Sequence, residues 1–299
     1  MIELGDDQLR GSYPPLVTPF RDGEVDLDAY AGLVEHQVAE GSHGIVVNGT
    51  TAEPSTLTLE ERARLVAVAV DTAAGRIPVV AATGSQSHAE TVWLTEQATD
   101  AGADAVLVVT PYYLKPPQRG LVEYFVDVAG HTDLPVLVYH IPGRTAVGVT
   151  VETLSQIAER VPTFVGMKHA VNDLGFVSDL LPRVGKGFRI FVGLEELSLP
   201  MMAVGATGLM NAVGNLVPAK VAALADAVAT GSLVEARAIH DELYELNRAV
   251  FYDTNPIPMK YMMRHLGLLA ANEHRLPMVA ADHALEARLA DVLARAGLG

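Results

Sequence analysis

The chain has 299 residues, of which 49% are hydrophobic and 19% charged, and its formal net charge is −15. This composition is typical of a globular protein with a large core, and the negative charge disfavours nucleic acids and anionic membrane surfaces as partners, because both bind basic surfaces. The absence of cysteine excludes disulfides, thiolate chemistry and zinc sites built on sulfur.

The N-terminal segment 1–7 is acidic and lacks the basic and apolar regions of a signal peptide. No apolar run approaches the roughly 20 residues needed to span a bilayer, so we expect a cytoplasmic protein. Beyond this segment, short apolar runs rich in β-branched residues alternate with amphipathic stretches. Uninterrupted apolar runs are typical of parallel strands buried on both faces. They predict eight strands, at residues 13–18, 44–48, 78–82, 105–110, 135–139, 164–168, 189–192 and 207–211.

The stretches between these strands have the apolar spacing of helices. The clearest helices are predicted at residues 28–39, 59–74, 89–101, 121–129 and 151–160. Thr58, with Glu61 three residues later, predicts a capping box at the start of the second helix. A further helix is expected to begin near Asn172 or Asp173, and a short apolar one covers 197–204.

After Gly231 the alternation stops, and residues 232–251, 258–269 and 282–296 predict helices with no strands between them. We therefore divide the chain into a catalytic domain at 1–231 and a C-terminal helical region at 232–299. Strands alternating with helices over the first part predict an α/β fold, a (β/α)8 TIM barrel with a C-terminal helical extension. A doubly wound open sheet is the alternative, but no G-x-G-x-x-G motif follows the first strand, which weakens its dinucleotide-binding version.

The C-terminal ends of barrel strands form the active-site face, and here they are rich in hydroxyl groups and poor in carboxylates. This disfavours glycoside hydrolysis by paired carboxylates and metal sites built on carboxylates, and we expect no bound metal. Lys168 ends the sixth predicted strand. An ammonium at the rim of an apolar core tends to lose its proton, and a neutral amine can form a Schiff base with a carbonyl. Alternatively, Lys168 extends its charged end to water.

Three further features lie at neighbouring strand ends. Tyr139 could relay protons to a Schiff base on Lys168, or be a core tyrosine with a satisfied hydroxyl. The turn Gly49-Thr50-Thr51 could hold a carboxylate on its backbone N–H groups, or be an ordinary strand-to-helix turn. Arg144, in a loop shaped by proline and glycine, could bind a carboxylate with two hydrogen bonds, or be a surface arginine. Together they indicate a barrel enzyme that forms an imine between Lys168 and a 2-oxo acid.

Several longer segments resemble the dihydrodipicolinate synthase / N-acetylneuraminate lyase family of lysine-dependent barrel aldolases, and the resemblance covers nearly the whole chain. The segments are Gly49-Thr50-Thr51-Ala52-Glu53, Val109-Thr110-Pro111-Tyr112-Tyr113, Tyr139-His140-Ile141-Pro142-Gly143-Arg144-Thr145, Gly166-Met167-Lys168, Gly205-Ala206-Thr207-Gly208 and Asn255-Pro256-Ile257-Pro258-Met259-Lys260. The resemblance implies a barrel followed by helices, usually a homotetramer built from dimers, and no cofactor beyond the covalent Schiff base on the lysine.

The resemblance also implies roles for four catalytic residues. Lys168 is similar to the family's Schiff-base lysine, which takes pyruvate, and Tyr139 to its catalytic tyrosine. Thr50 and Tyr113 resemble the two hydroxyl partners that complete the proton relay. In the family, this second tyrosine reaches across a subunit interface, which implies at least a dimer.

Four more positions resemble the family's substrate-binding residues. Thr51 is similar to the residue that helps Thr50 to hold the pyruvate carboxylate, and Arg144 to the arginine that binds the carboxylate of the second substrate. Gly193 and Met210 fall where the family lines its pyruvate pocket. The arginine loop and the Tyr112-Tyr113 pair resemble the synthase branch, which condenses pyruvate with aspartate semialdehyde in lysine biosynthesis.

The chain departs from the family pattern at three places. Ala52 replaces a glycine, which removes backbone freedom, and His169 replaces an acidic residue, which could change the environment of the lysine. At the lysine-feedback site, Leu59 and Arg62 replace histidines and Gln86 replaces asparagine, whereas Glu90 and Tyr112 match. We therefore predict little or no inhibition by lysine.

Two other functions remain open from the sequence. One is a catabolic enzyme with the same Schiff-base chemistry, either an aldolase or dehydratase for 2-oxo-3-deoxy sugar acids or a deaminase for a hydroxypyrroline carboxylate. The other is a non-catalytic pyruvate-binding protein that has kept the barrel, which the joint presence of Lys168, Tyr139, Thr50 and Tyr113 disfavours.

Overall fold

The computed structural model describes residues 5, 8–185 and 187–299. The strands in these residues are β1 (Gly11–Ser12), β2 (Phe20–Arg21), β3 (Glu24–Val25), β4 (Ile45–Val47), β5 (Val79–Ala82), β6 (Ala105–Val109), β7 (Val136–His140), β8 (Phe164–His169), β9 (Arg189–Val192) and β10 (Gly208–Leu209). Eight of them form a parallel sheet in the order β1-β10-β9-β8-β7-β6-β5-β4, and β2 and β3 form a separate antiparallel pair.

The eight-stranded sheet closes nearly into a barrel. Its two edges meet at Pro15, which forms a parallel bridge to Val46 of β4, and Leu16 N donates to Val46 O at 3.0 Å. The predicted barrel is thereby confirmed. The predicted first strand at 13–18 was wrong in its bounds, because prolines at 14 and 15 have no N–H to donate to a ladder, so the regular pairing is limited to Gly11–Ser12.

The helices in the described residues surround the sheet and continue beyond it. They are α1 (Leu27–Ala39), α2 (Leu59–Ala73), α3 (His88–Asp100), α4 (Gln118–Ala129), α5 (Pro142–Thr145), α6 (Val151–Arg160), α7 (Leu174–Val184), α8 (Ser198–Ala203), α9 (Pro218–Ala229), α10 (Leu233–Ala249), α11 (Ile257–His265) and α12 (His283–Arg295). The capping box of α2 is confirmed: Thr58 Oγ1 accepts from Glu61 N at 3.1 Å, and Thr58 N donates to Glu61 Oε2 at 2.9 Å. The one-turn helix α5 was not predicted.

Two apolar layers follow from the alternation of side chains along the strands. Inward-facing residues such as Leu107, Leu137 and Phe191 fill the barrel interior, whereas Val108, Val138 and their neighbours pack against the helices. The C-terminal helices are present as predicted, and α10 packs against α9. None of the helices in the described part of the chain is both long and apolar enough to cross a membrane.

Candidate functional site at the strand ends

Lys168 and Tyr139 occupy neighbouring positions near the C-terminal ends of β8 and β7. They are paired in the parallel register, so their side chains point into the barrel side by side. Lys168 is only 4% exposed, and its Nζ lies 4.5 Å from the centroid of the Tyr139 ring. The structure therefore holds a buried lysine against a tyrosine ring at the end of the barrel where parallel-barrel sites form.

Gly193, directly after β9, gives the lysine side chain its space. A Cβ added at this position would lie 2.9 Å from both Lys168 Cε and Ala170 Cβ, closer than side-chain carbons approach one another. Any larger residue would therefore displace the lysine or its neighbour. Met210 is buried in the same interior cluster as Tyr139, and its N donates to Val192 O at 2.9 Å.

The turn after β4 brings the two threonines to the same region. Thr50 Oγ1 lies 3.4 Å from the Tyr139 hydroxyl, and Thr51 Oγ1 accepts from Asn255 Nδ2 at 2.9 Å. The carbonyl of Ala52 accepts from Thr18 Oγ1 at 2.8 Å. Residues 50–52 form one 3-10 turn, and the left-handed residue is Glu53, with φ of 56°. Ala52 consequently fits the turn without backbone strain.

A buried charge cluster lies at the end of this turn. Glu53 Oε1 is 2.6 Å from Lys260 Nζ, and Glu53 Oε2 is 2.9 Å from His274 Nδ1, all three side chains being fully buried. Lys260 Nζ also donates to the carbonyl of Glu273 at 2.8 Å. Burial lowers the pKa of Lys260, and the Glu53 carboxylate opposes this shift. Sequence reasoning gave no role to Glu53 as a partner of Lys260, although both residues belong to segments that carry the family resemblance.

An open cavity of about 680 Å³ adjoins these residues. Thr50, Tyr139, Arg144 and Tyr112 line it, whereas Lys168 contacts the Tyr139 ring without lining the cavity directly. Tyr113 is separate from the other candidate residues: it is 85% exposed, with a left-handed backbone at φ of 70°. The structure thus gathers the predicted site residues around one strand-end region, except for Tyr113.

The positions where sequence reasoning located the feedback site also line this cavity. Arg62 is buried there, and its Nη2 donates to the carbonyls of Ala82 at 3.0 Å and Gly84 at 3.3 Å. Burial lowers the pKa of Arg62 to about 10, so its guanidinium stays charged at neutral pH. Glu90 accepts a hydrogen bond from Ser85 Oγ at 2.6 Å.

His169 faces away from the lysine that precedes it. Its ring stacks on Phe176 of α7, and its Nδ1 lies 3.2 Å from Nδ1 of His140. Burial lowers the pKa of both imidazoles, that of His140 to about 4. The departure at His169 thus falls in the layer between sheet and helices, on the opposite face of β8 from Lys168.

Glu195 is a further acidic residue near the lysine that sequence reasoning missed. It is 2% exposed and lies on the 3-10 turn that follows β9, and its Oε1 accepts from Ala212 N at 2.6 Å. The sequence offered one signal, a carboxylate two residues after Gly193. Among the described residues, no three His, Asp or Glu side chains are grouped closely enough to hold a metal ion.

The sequence and the fold are similar to those of one family throughout. The profile of the Dihydrodipicolinate synthetase family matches residues 8–296. A 4-hydroxy-tetrahydrodipicolinate synthase of Thermus thermophilus is 45% identical over 290 residues, which are 97% of each chain.

Two solved structures extend the similarity to the fold. The dihydrodipicolinate synthase of Aquifex aeolicus superposes with a TM-score of 0.95 at 41% identity, covering 97% of this chain and 98% of that one. The chloride-inhibited dihydrodipicolinate synthase of Acinetobacter baumannii, complexed with pyruvate, gives a TM-score of 0.94 at 33% identity, covering 98% of this chain and 100% of that one.

Proposed function

Because the chain belongs to the dihydrodipicolinate synthetase family, we propose that it is a 4-hydroxy-tetrahydrodipicolinate synthase, a lyase that condenses pyruvate with aspartate semialdehyde. The observation that carries this proposal is the buried Lys168 beside Tyr139, whose hydroxyl lies 3.4 Å from Thr50 Oγ1. A lysine amine, a tyrosine and a second hydroxyl in contact are the groups that imine chemistry on a 2-oxo acid requires.

The proposed reaction begins when the neutral amine of Lys168 attacks the ketone carbon of pyruvate. The resulting carbinolamine loses water to give an imine, and the Tyr139 hydroxyl supplies the proton that the departing hydroxide needs. The protonated imine draws electrons from the neighbouring methyl group, which loses a proton and becomes the carbon nucleophile of an enamine. Thr50, whose Oγ1 lies 3.4 Å from the Tyr139 hydroxyl, completes the proton path on this chain. The protonated imine on Lys168 is the electron sink, so the proposal needs no added cofactor.

In the second half, the enamine carbon attacks the aldehyde carbon of aspartate semialdehyde. The amino group of the semialdehyde then replaces the lysine at the imine carbon, which closes the ring and frees Lys168. The net reaction joins the two substrates with the loss of one water. We assign the carboxylate of pyruvate to the Thr50–Thr51 turn and that of the semialdehyde to Arg144, which lines the open cavity. Gly193 and Met210 would border the pyruvate methyl group.

The names of the relatives support the synthase over the other two functions that the sequence left open. The Thermus thermophilus relative carries that name at 45% identity, and so does one from Nitratidesulfovibrio vulgaris at 41% identity over 97% of this chain. No contact in the described residues specifically favours a polyol chain or a non-catalytic role. The cytoplasmic location and the division into 1–231 and 232–299 stay predictions.

We also propose that the protein assembles into a homotetramer built from dimers, in which Tyr113 completes the relay of a partner's site. Tyr113 and Leu114 are 85% and 67% exposed at the tip of the loop after β6, and large exposed apolar side chains next to one another are typical of interfaces. Light scattering should give the mass of four chains. Tyr113→Ala should lower turnover and Tyr113→Arg should also lower the mass; a fully active monomer would contradict this assembly.

Borohydride trapping tests the proposed chemistry directly. The wild-type protein is incubated with pyruvate, reduced, digested and analysed by mass spectrometry, which should place one reduced pyruvate adduct on Lys168. Lys168→Ala should abolish the adduct, whereas Lys220→Ala, which removes an exposed lysine, should leave it unchanged. An adduct on another lysine, or none in the wild type, would refute the assignment.

Substrate competition then identifies the second substrate. The wild-type enzyme, once shown to form the pyruvate adduct, is given pyruvate with aspartate semialdehyde, or with aldehydes derived from sugar acids. The products are identified by mass. The synthase assignment predicts rapid turnover with aspartate semialdehyde and turnover at least about tenfold slower with the others, the discrimination expected from one well-placed charge contact. Faster turnover of a sugar-derived aldehyde would favour the catabolic function over the synthase.

A further inference from the structure

Glu195 is a buried carboxyl group that the reaction described above does not use. Its Oε1 accepts from Ala212 N at 2.6 Å, which ties the end of β9 to the segment after β10. Its Oε2 is buried and has no hydrogen-bond partner among the described residues. A buried carboxylate oxygen without a donor is rare in proteins, which suggests that this oxygen serves a charge or a ligand rather than the fold.

Two charges act on the carboxyl of Glu195: that of Lys168, on β8, favours its ionised form, and that of Glu196, on the same turn, opposes it. The polar neighbours on the packed elements are neutral: Ser198 Oγ donates to the carbonyl of Glu195 at 2.6 Å, and Asn247 Nδ2 of α10 donates to it at 3.4 Å.

The segment that follows β9 contacts the lysine and also carries the carboxyl group. Gly193 leaves the space that Lys168 Cε fills, and Glu195 follows two residues later, at the start of the 3-10 turn Glu195–Leu197. The segment that leaves β9 therefore gives the lysine its space and also carries the carboxyl group. Burial raises the pKa of Glu195 to about 7, and the hydrogen bond from Ala212 N and the charge of Lys168 oppose this shift. The group is thus ionised in only part of the molecules at neutral pH.

We propose that Glu195 is a positioning residue for the Schiff-base step, supplying the buried negative charge that stabilises the cation on Lys168 when the protonated imine forms. The proposal rests on the proposed function, because it needs an imine on this lysine. Formation of the imine puts a positive charge on a nitrogen at the end of an apolar core, where a fixed opposite charge is worth far more than in water. Glu195 acts in this way through Lys168, from the 3-10 turn that begins at Glu195.

The test compares two variants that remove the same charge from adjacent positions. Glu195→Gln keeps the shape and the acceptor for Ala212 N but loses the charge, and Glu196→Gln removes an exposed carboxylate one residue later. The rate of borohydride trapping with pyruvate is measured from pH 5.5 to 9. We expect Glu195→Gln to slow trapping by about tenfold at pH 8, the equivalent of one pKa unit of interaction. The variant should also lose the limb of the pH profile, that is, the change in trapping rate that the wild type shows near pH 7. Glu196→Gln should match the wild type.

A charge-conserving variant separates electrostatics from folding. Glu195→Asp should keep a limb in the neutral range at a reduced rate, and circular dichroism reports whether each variant is folded. The proposal is overturned if Glu195→Gln shows the wild-type profile, if Glu196→Gln has an equal effect, or if Glu195→Asp lacks the limb. If Glu195→Gln does not fold, the Asp profile alone decides. Absence of any pyruvate adduct in the wild type refutes the proposed function and this inference together, whereas normal wild-type trapping with an unchanged Glu195→Gln profile refutes only the inference.

Discussion

Replacement of Lys260 by methionine should destabilise the protein far more than the same change at a surface lysine. Lys260 Nζ lies 2.6 Å from Glu53 Oε1, and both side chains are fully buried. Methionine has a similar length and removes the charge, so Glu53 would keep its negative charge in the interior. The Lys260 ammonium also lies 4.3 Å from the centre of the Phe20 ring, and this contact would be lost too.

The expected loss follows from what remains next to the carboxylate. Removal of one partner from a buried ion pair typically costs about 3–5 kcal/mol. His274 Nδ1 remains 2.9 Å from Glu53 Oε2 and can take up a proton, and methionine fills most of the volume, so we expect about 3 kcal/mol, the lower end of this range. For a domain of 150–250 residues this corresponds to a fall in melting temperature of roughly 6–12 °C.

Chemical denaturation and thermal unfolding of three variants measure the effect. Lys220→Met is the matched control, because Lys220 Nζ lies 2.7 Å from Glu242 Oε2 in a pair whose side chains are 43% and 60% exposed. Exposed pairs contribute about 0–1 kcal/mol. The double variant Glu53→Gln with Lys260→Met removes both charges and should recover part of the stability. Equal losses for Lys260→Met and Lys220→Met would refute the reasoning.

Four further outcomes are expected. Tyr139→Phe should lower turnover by about 10²–10³-fold through loss of a general acid–base; a fall of less than threefold in steady-state assays would reduce the tyrosine to a packing role. Gly193→Ala should slow pyruvate trapping by about 10²-fold, the cost of a 1 Å misplacement, because its methyl group would lie 2.9 Å from Lys168 Cε; a wild-type trapping rate would contradict this. Burial raises the pKa of Glu195 to about 7. The protonated group therefore contributes its full stability below pH ~4.5, and the fold loses that contribution as the pH rises through about 7. In urea unfolding, Glu195→Gln should be more stable than the wild type at pH 8 but not at pH 4.5. Free lysine should not inhibit, because the charged Arg62 lines the cavity and would repel a second cation; strong inhibition at sub-millimolar lysine would contradict this.

The fold could be predicted because its strongest signals are local. Apolar runs that are buried on both faces mark β4 to β9 to within two residues of their bounds, and the capping box fixed the start of α2. The first strand was harder, because its side chains look like those of a strand while the prolines at 14 and 15 prevent regular pairing. Helix α5 was missed because Pro142–Thr145 is a single turn, too short for any periodicity to appear.

The candidate site was predictable only as far as strand ends determine it. Adjacent strands of a parallel barrel must bring Tyr139 and Lys168 together, whatever the loops do. Other contacts at this end of the barrel join distant parts of the chain: Glu53 and Lys260 are more than 200 residues apart. No pattern of period 2 or 3.6 reports such a pair. Glu195 was overlooked because its neighbour Glu196 looks the same in sequence, and only burial separates the two.

The C-terminal region contacts the candidate site and does not lie only on the exterior of the barrel. Asn255 donates to Thr51 Oγ1, and Lys260 holds Glu53, so both ends of the turn that presents Thr50 to Tyr139 are fixed by residues beyond 231. A chain ending at 231 would leave the carboxylate of Glu53 without its lysine and the threonine turn without its amide partner. The division at 231 and 232 therefore separates two patterns of secondary structure, whereas the chemistry we propose depends on contacts that cross it.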